Sequence, residues 1–187
     1  MGTPYRFTYD DYARMSEDGL IAEGERTGLV NGEIVCMTPV GHRHVYVVDL
    51  LTALLGEWTH GRAVLRVRSP LVFNGLEVPH PDLTLLRPHA DRYRTRLAGP
   101  WDALPIVEVA DSAPSRDLEK AVQYARAVIP EYWIADVNRE IVMVHLTPVG
   151  GEYTDVREYA RGESFVSPAL GGREVRVENV LGPAVET

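Results

Sequence analysis

Two acidic residues and one lysine have types and positions that could support hydrolytic chemistry. Asp82 lies near the start of the strand-like segment VPHPDLTLL, Glu108 lies in the middle of the apolar segment LPIVEVA, and Lys120 follows on a predicted helix. A lone ionised carboxylate inside an apolar strand is costly to bury. Glu108 therefore needs a partner, which could be a cation, a set of hydrogen-bond donors or a metal ion.

The two carboxylates form a candidate metal site if their strands are neighbours in a sheet. In that arrangement Asp82 and Glu108 would face and repel one another. A divalent cation between them would remove the repulsion, and a ligand set made only of oxygen atoms suits Mg²⁺ or Mn²⁺.

Lys120 is the only lysine among 19 basic residues. Next to a metal and a phosphodiester, a compact ammonium can orient or deprotonate water and stabilise developing charge, whereas arginine does not give up its proton. Helical spacing places Lys120 outside the apolar stripe of its helix, on a face that is either a cleft or solvent. The alternative is a surface lysine that pairs with Asp117, a contact worth roughly 0.2–0.5 kcal/mol.

Several other side chains are candidates for supporting roles. Tyr124 shares the flank of Lys120 and could support it or contact a phosphate, although half-buried packing is the alternative. His42 and His44 form an H-x-H pair, but a zinc site lacks a third ligand at a recognisable spacing.

A loop with the sequence RPHADRYRTR could contact a nucleic acid. Its arginines flank Tyr93, and arginines beside a stacking ring suit a nucleic-acid backbone. The candidate substrate-binding residues are Arg92, Arg94 and Arg96. A solvated loop without such a role is the alternative.

Composition limits the class of protein without deciding its function. The chain of 187 residues is predicted to form one domain over 1–187, with 45% hydrophobic and 25% charged residues. A net charge of −8 argues against a general nucleic-acid coat, but a nuclease with an acidic metal site remains compatible with it. The single Cys36 excludes an internal disulfide, and we expect it to be a small packed residue. No signal peptide or membrane span is predicted, so we expect a cytoplasmic protein.

The predicted elements alternate between helices and strands, which indicates an α/β or α+β domain around one central sheet. Helices are expected at about 8–19, 45–58 and 116–128. A hairpin is expected around Asn31-Gly32, and a second around Asn74-Gly75 with AVLRVRSPLVF and LEVPHPDLTLL as its strands. Further strands are expected at LPIVEVA, EYWIADV, EIVMVHL, EYTDVREY and REVRVENV.

Four segments of the chain resemble the Uma2 family, bacterial proteins of the PD-(D/E)XK restriction-endonuclease-like superfamily. They are LVNGEIVCMTPVGHRH, VPHPDLTLL, PIVEVADSAPSRDLEKAVQYARAVIPEYWIADV and LGGREVRVENVL. The resemblance extends from about Thr8 to Leu181. It implies a restriction-endonuclease-like core with a central mixed β-sheet flanked by helices.

The resemblance also implies a metal-dependent phosphodiesterase site. Asp82 and Glu108 would match the family's metal ligands, and Lys120 would supply the lysine that an E-x-K motif usually carries, since Glu108-Val109-Ala110 ends in alanine. Glu33 and His44 would lie near the site.

The function that follows is Mg²⁺- or Mn²⁺-dependent hydrolysis of DNA, with a homodimer as one arrangement. Family members usually carry a glutamate where this chain has Gly28. The alternative is therefore a catalytically degenerate protein that binds DNA or protein. A metal-independent hydrolase is disfavoured, because the chain has no G-x-S-x-G motif.

Overall fold

A computed structural model describes residues 3–22, 24–25, 27–36, 40–111 and 115–184, with no side-chain description for 115–118. The helices in these ranges are α1 (Tyr9–Glu17), α2 (His42–Trp58), α3 (Ser115–Arg126) and α4 (Val177–Leu181). The strands are β1 (Thr27–Val30), β2 (Glu33–Cys36), β3 (Val64–Val67), β4 (Leu83–Leu86), β5 (Ala103–Ala110), β6 (Glu131–Asp136), β7 (Ile141–Val149), β8 (Glu152–Ala160), β9 (Ser164–Ser167) and β10 (Arg173–Arg176). None of the helices in the described ranges has the length and hydropathy of a membrane span.

A six-stranded mixed sheet forms the centre of the fold, in the order β3-β4-β5-β6-β7-β8. β5 and β6 run parallel, and the other neighbours in this sheet are antiparallel. A parallel pair needs a crossover connection, which α3 provides between β5 and β6. The predicted mixed sheet with flanking helices is confirmed.

Helices cover both faces of this sheet. On one face, α2 contributes Val48, Leu51 and Leu55 to a hydrophobic core that includes residues of α4. On the other face, Tyr124 of α3 packs into a second core with Ile106 of β5. Because both faces are covered, β5 and β6 are buried almost throughout.

Local sequence signals place the first elements correctly. Thr8 caps α1 in a capping box with Asp11. Asn31 and Gly32 both have positive φ, 49° and 74°, as a tight hairpin turn between β1 and β2 requires.

The predicted hairpin around Asn74-Gly75 is present, but its regular strands are shorter than expected. β3 and β4 pair over four residues, and towards the turn the two arms are joined by the Asn74–Glu77 bridge and by hydrogen bonds from the Leu71 and Phe73 N–H groups to the Pro79 and Glu77 carbonyls. The long connection contains Pro70, Pro79 and Pro81, which cannot donate to a strand ladder.

Two further expectations need correction. The segment REVRVENV is a strand only as far as Arg176, after which α4 begins at Val177. Cys36 is exposed instead of packed.

Candidate functional site

Three charged side chains follow one another across the end of the central sheet. The ladders of β3, β4 and β5 pair as far as Leu83. The next residue on each of the three adjacent segments is charged. Arg68 follows β3, Asp82 precedes β4, and Glu108 lies in β5. The backbone N–H of Arg68 donates to the Asp82 carbonyl at 3.0 Å, so the row continues the ladder past the last paired residues.

Glu108 is held by two residues of α3. Its side chain lies on the buried α3 face of β5, and the residue is only 2% exposed. The Tyr124 hydroxyl donates to Glu108 Oε1 at 2.6 Å, and Lys120 Nζ lies 2.9 Å from Oε2. Lys120 and Tyr124 lie one helical turn apart, so one face of α3 presents both donors.

Asp82 is held by groups from three other elements. His44 Nε2, in the first turn of α2, lies 3.0 Å from Oδ2, and the Val109 backbone N–H donates to the same oxygen at 3.0 Å. Arg68 Nε lies 3.5 Å from Oδ1. The carboxylate therefore sits between the start of α2 and the ends of β3 and β5.

The negative charge of Glu108 affects the protonation of Asp82. Burial, and after it the negative charge of Glu108, raises the pKa of Asp82 to about 7. The Val109 N–H and the cations of Lys120 and Arg68 act in the opposite direction. Burial and the adjacent Glu108 also raise the pKa of Tyr124 well above its usual value, so Tyr124 is a neutral donor.

The donor set at Asp82 and Glu108 fits a hard divalent cation. Both side chains offer carboxylate oxygens, and the repulsion that raises the pKa of Asp82 is what a cation would relieve. Within the described ranges, no group of three or more His, Cys, Asp or Glu side chains is arranged to hold a metal. A cation at this site would therefore keep water ligands, as Mg²⁺ commonly does.

The structure brings together Asp82, Glu108 and Lys120, with His44 beside them, but it corrects the position of other candidates. Tyr124 is fully buried and bonded to Glu108, so it supports that carboxylate and is not exposed to contact a phosphate. Glu33 instead forms a surface ion pair with Arg6 at 2.6 Å, and its side chain is 65% exposed.

Side chains of the arginine loop make contacts within the protein that leave them less available to a phosphate. Arg96 makes a two-pronged contact with Asp102 at 2.6 and 2.9 Å and lies over the Tyr93 ring. Tyr93 is buried, with its hydroxyl bonded to a backbone carbonyl, so it is not a stacking platform. Arg92 and Arg94 are exposed, and their contact with a substrate stays a prediction.

Sequence reasoning missed Arg68 and the Val109 N–H. Arg68 is one of many arginines, and its approach to Asp82 depends on a left-handed backbone, φ 47°, that its residue type does not predict. The Val109 contact depends on strand register, for which the residue letters carry no signal.

Comparison with known proteins establishes the class first. The model of the Uma2 family, described as "putative restriction endonuclease", matches residues 9–178. The chain belongs to the Uma2 family. No curated protein matches the chain.

A solved structure shares the fold. It is the crystal structure of a protein from Anabaena variabilis ATCC 29413 described as "a putative nuclease belonging to DUF820". The TM-score is 0.72 at 12% sequence identity, and the match covers 94% of this chain and 97% of that chain.

Proposed function

We propose that this protein is a divalent-metal-dependent endonuclease that hydrolyses DNA phosphodiester bonds. The observation that carries the proposal is the buried Asp82–Glu108 pair with the Lys120 ammonium 2.9 Å from Glu108. Membership of a family described as "putative restriction endonuclease" supports the same reaction class.

Asp82 and Glu108 would hold Mg²⁺ or Mn²⁺. Such an ion supplies charge neutralisation at the phosphate and lowers the pKa of bound water. Each carboxylate already has fixed donors on its oxygens, which hold both side chains in place before an ion binds. Fixed ligands reduce the cost of ordering that binding would otherwise incur.

Lys120 would orient the attacking water or stabilise the negative charge that develops on the phosphate. Its side chain is 38% exposed while the Glu108 side chain that it contacts is buried. The ammonium therefore bridges the buried carboxylate and an open side that a phosphodiester could reach. Tyr124 and His44 are positioning residues, since each contacts a carboxylate and not the open side.

The acidic net charge of −8 limits how DNA would approach. A local group of arginines would provide the contact with the backbone, or a second subunit in a homodimer would complete the groove. We propose that the protein acts in the cytoplasm.

Cleavage of supercoiled plasmid with Mg²⁺ or Mn²⁺ tests the proposal. We expect the wild type to nick or linearise the plasmid and Glu108→Gln and Lys120→Ala to lose this activity. Glu57→Gln, which removes an exposed carboxylate of α2, is the matched control and should cleave like the wild type. Equal cleavage by all four proteins would point to a contaminant or another site. Binding without cleavage by the wild type would support the degenerate binding module instead.

A further inference from the structure

We infer that Arg68 forms a phosphate-binding subsite beside Asp82, where its guanidinium contacts a backbone phosphate of the nucleic-acid substrate. The inference rests on the proposed nuclease function and adds a substrate contact to it. It comes from three features of Arg68: its backbone conformation, the state of its buried nitrogen and its position in the charged row.

The backbone of Arg68 adopts a conformation that arginine disfavours. Its φ is 47°, in the left-handed region. This region is unfavourable for a residue other than glycine. The residue is locked there because its N–H donates to the Asp82 carbonyl at 3.0 Å. A glycine at this position would accept the same backbone without the cost, and a role for the arginine side chain would account for its presence.

The guanidinium is incompletely satisfied within the described part of the chain. Its Nε is buried and has no hydrogen-bond partner there. The 3.5 Å separation from Asp82 Oδ1 is an ion pair that is too long for a good hydrogen bond. A buried N–H without a partner is unfavourable, so the residue carries a second cost, which movement of the guanidinium towards an acceptor at the exposed end of the side chain would relieve.

Other cations around the carboxylates already have short contacts. Lys120 lies 2.9 Å from Glu108, and His44 lies 3.0 Å from Asp82. Arg43, at the start of α2, donates to Asp111 at 2.7 Å. Arg68 has the longest of these contacts, and its side chain is 30% exposed, so its planar fork can turn to a phosphate without breaking a short ion pair.

The surroundings of Arg68 suit the path of a polyanion. The next residue, Ser69, lines a cavity of about 200 Å³ that Arg66 also lines. A strand whose phosphate contacts Arg68 would place a neighbouring phosphate near Arg66. Asp82 neutralised by a cation would no longer compete for the guanidinium.

Arg68→Gly provides the sharpest test, because glycine keeps the left-handed backbone while the guanidinium is removed. Binding of a fluorescent DNA duplex, with Ca²⁺ in place of Mg²⁺, should weaken by about 10-fold or more. The slope of log affinity against log salt should fall by about one. Mn²⁺ binding, measured by calorimetry, should stay equal or become tighter, since a cation beside Asp82 has been removed.

Two further variants complete the design. Arg68→Lys keeps the charge without the fork, so it should retain the salt slope and bind DNA with intermediate affinity. Arg62→Gln removes an exposed arginine whose side chain donates to the Trp58 carbonyl, and it should bind DNA like the wild type. Circular dichroism and the unfolding midpoint establish that each variant is folded.

The outcomes separate this inference from the proposed function. If the wild type cleaves DNA and Arg68→Gly binds DNA with unchanged affinity and salt slope, the subsite is wrong and the nuclease proposal survives. A loss of Mn²⁺ affinity with an unchanged salt slope would show that Arg68 only positions Asp82. If the wild type neither binds nor cleaves DNA, both proposals fail.

Discussion

Asp82 should make the metal-free protein less stable as pH rises. Its pKa is about 7 in the folded chain against 3.8 for an unperturbed aspartate. Because folding raises this pKa, the unfolded chain releases the proton first. The stabilising effect of the protonated carboxyl is therefore fully present below pH 3.8 and is lost as pH rises towards about 7. At 1.36 kcal/mol per pKa unit, the loss amounts to about 4 kcal/mol at most.

Urea unfolding in EDTA, at intervals from about pH 5 to pH 8, measures this effect. The comparison is between the wild type and Asp82→Asn, which keeps the size of the side chain without the charge. We expect the wild type to lose about 2–3 kcal/mol over this range relative to the variant, and the variant to be the more stable of the two at pH 8. Carboxyls with a lowered pKa, such as Asp11 at about 2, lose their contributions at more acidic pH.

The metal dependence adds a second criterion. At pH 8, Mn²⁺ should restore the stability of the wild type and leave Asp82→Asn unchanged, because the ion replaces the proton at the carboxylate pair. Glu57→Gln, the exposed carboxylate variant, should follow the wild type in both experiments. Parallel pH curves for the wild type and Asp82→Asn would refute the reasoning, because they would mean that folding does not disfavour the ionised form of Asp82.

Three other changes have definite expected results. Lys120→Arg should lower plasmid cleavage by about 100-fold or more, because guanidinium neither releases a proton nor has the shape of the ammonium; calorimetry should show that Mn²⁺ still binds, and wild-type turnover would contradict the role of Lys120. Tyr124→Phe should destabilise the fold by about 1–3 kcal/mol in urea, because Glu108 loses its 2.6 Å donor; an unchanged midpoint would show that this bond contributes little. Val128→Gly should raise the unfolding free energy by about 1 kcal/mol, because Val128 follows α3 with a left-handed φ of 58°; a lower midpoint would mean that its half-exposed side chain matters more than its backbone.

The acidic pair could be predicted from the sequence because burial of charge is visible in the residue pattern. Glu108 stands in an apolar strand, and the need for a partner follows from the cost of burying its charge. Asp82 and Lys120 are candidates from their positions on a nearby strand and on the following helix, and the family resemblance matches them to the metal ligand and the lysine of the site. The contacts of Tyr124 and His44 depend on how helices dock on the sheet, and short-range patterns do not specify that docking.

The arginine loop shows why composition alone misleads about binding. Arg96 looked free in the sequence, yet Asp102 lies six residues further on and neutralises it through a two-pronged contact. The residue type of Arg68 does not distinguish it from the other arginines, and only the structure shows its left-handed backbone beside Asp82. In both cases a turn of the chain brings the arginine next to its acidic partner. Residue types alone do not predict which residues such a turn brings together.

The chain has an alanine, and not a lysine, at the last position of the E-x-K pattern, and the core that α3 shares with the sheet offers a physical reason. Ala110, at the usual lysine position, lies in the same buried core as Ala121 of α3. Both residues are small, and a lysine stem at position 110 would have to be buried in this packed core. Lys120 instead reaches Glu108 from the helix at 2.9 Å. The alanine in the strand and the lysine on the helix are thus two parts of one arrangement, in which the cation enters the site from its open side.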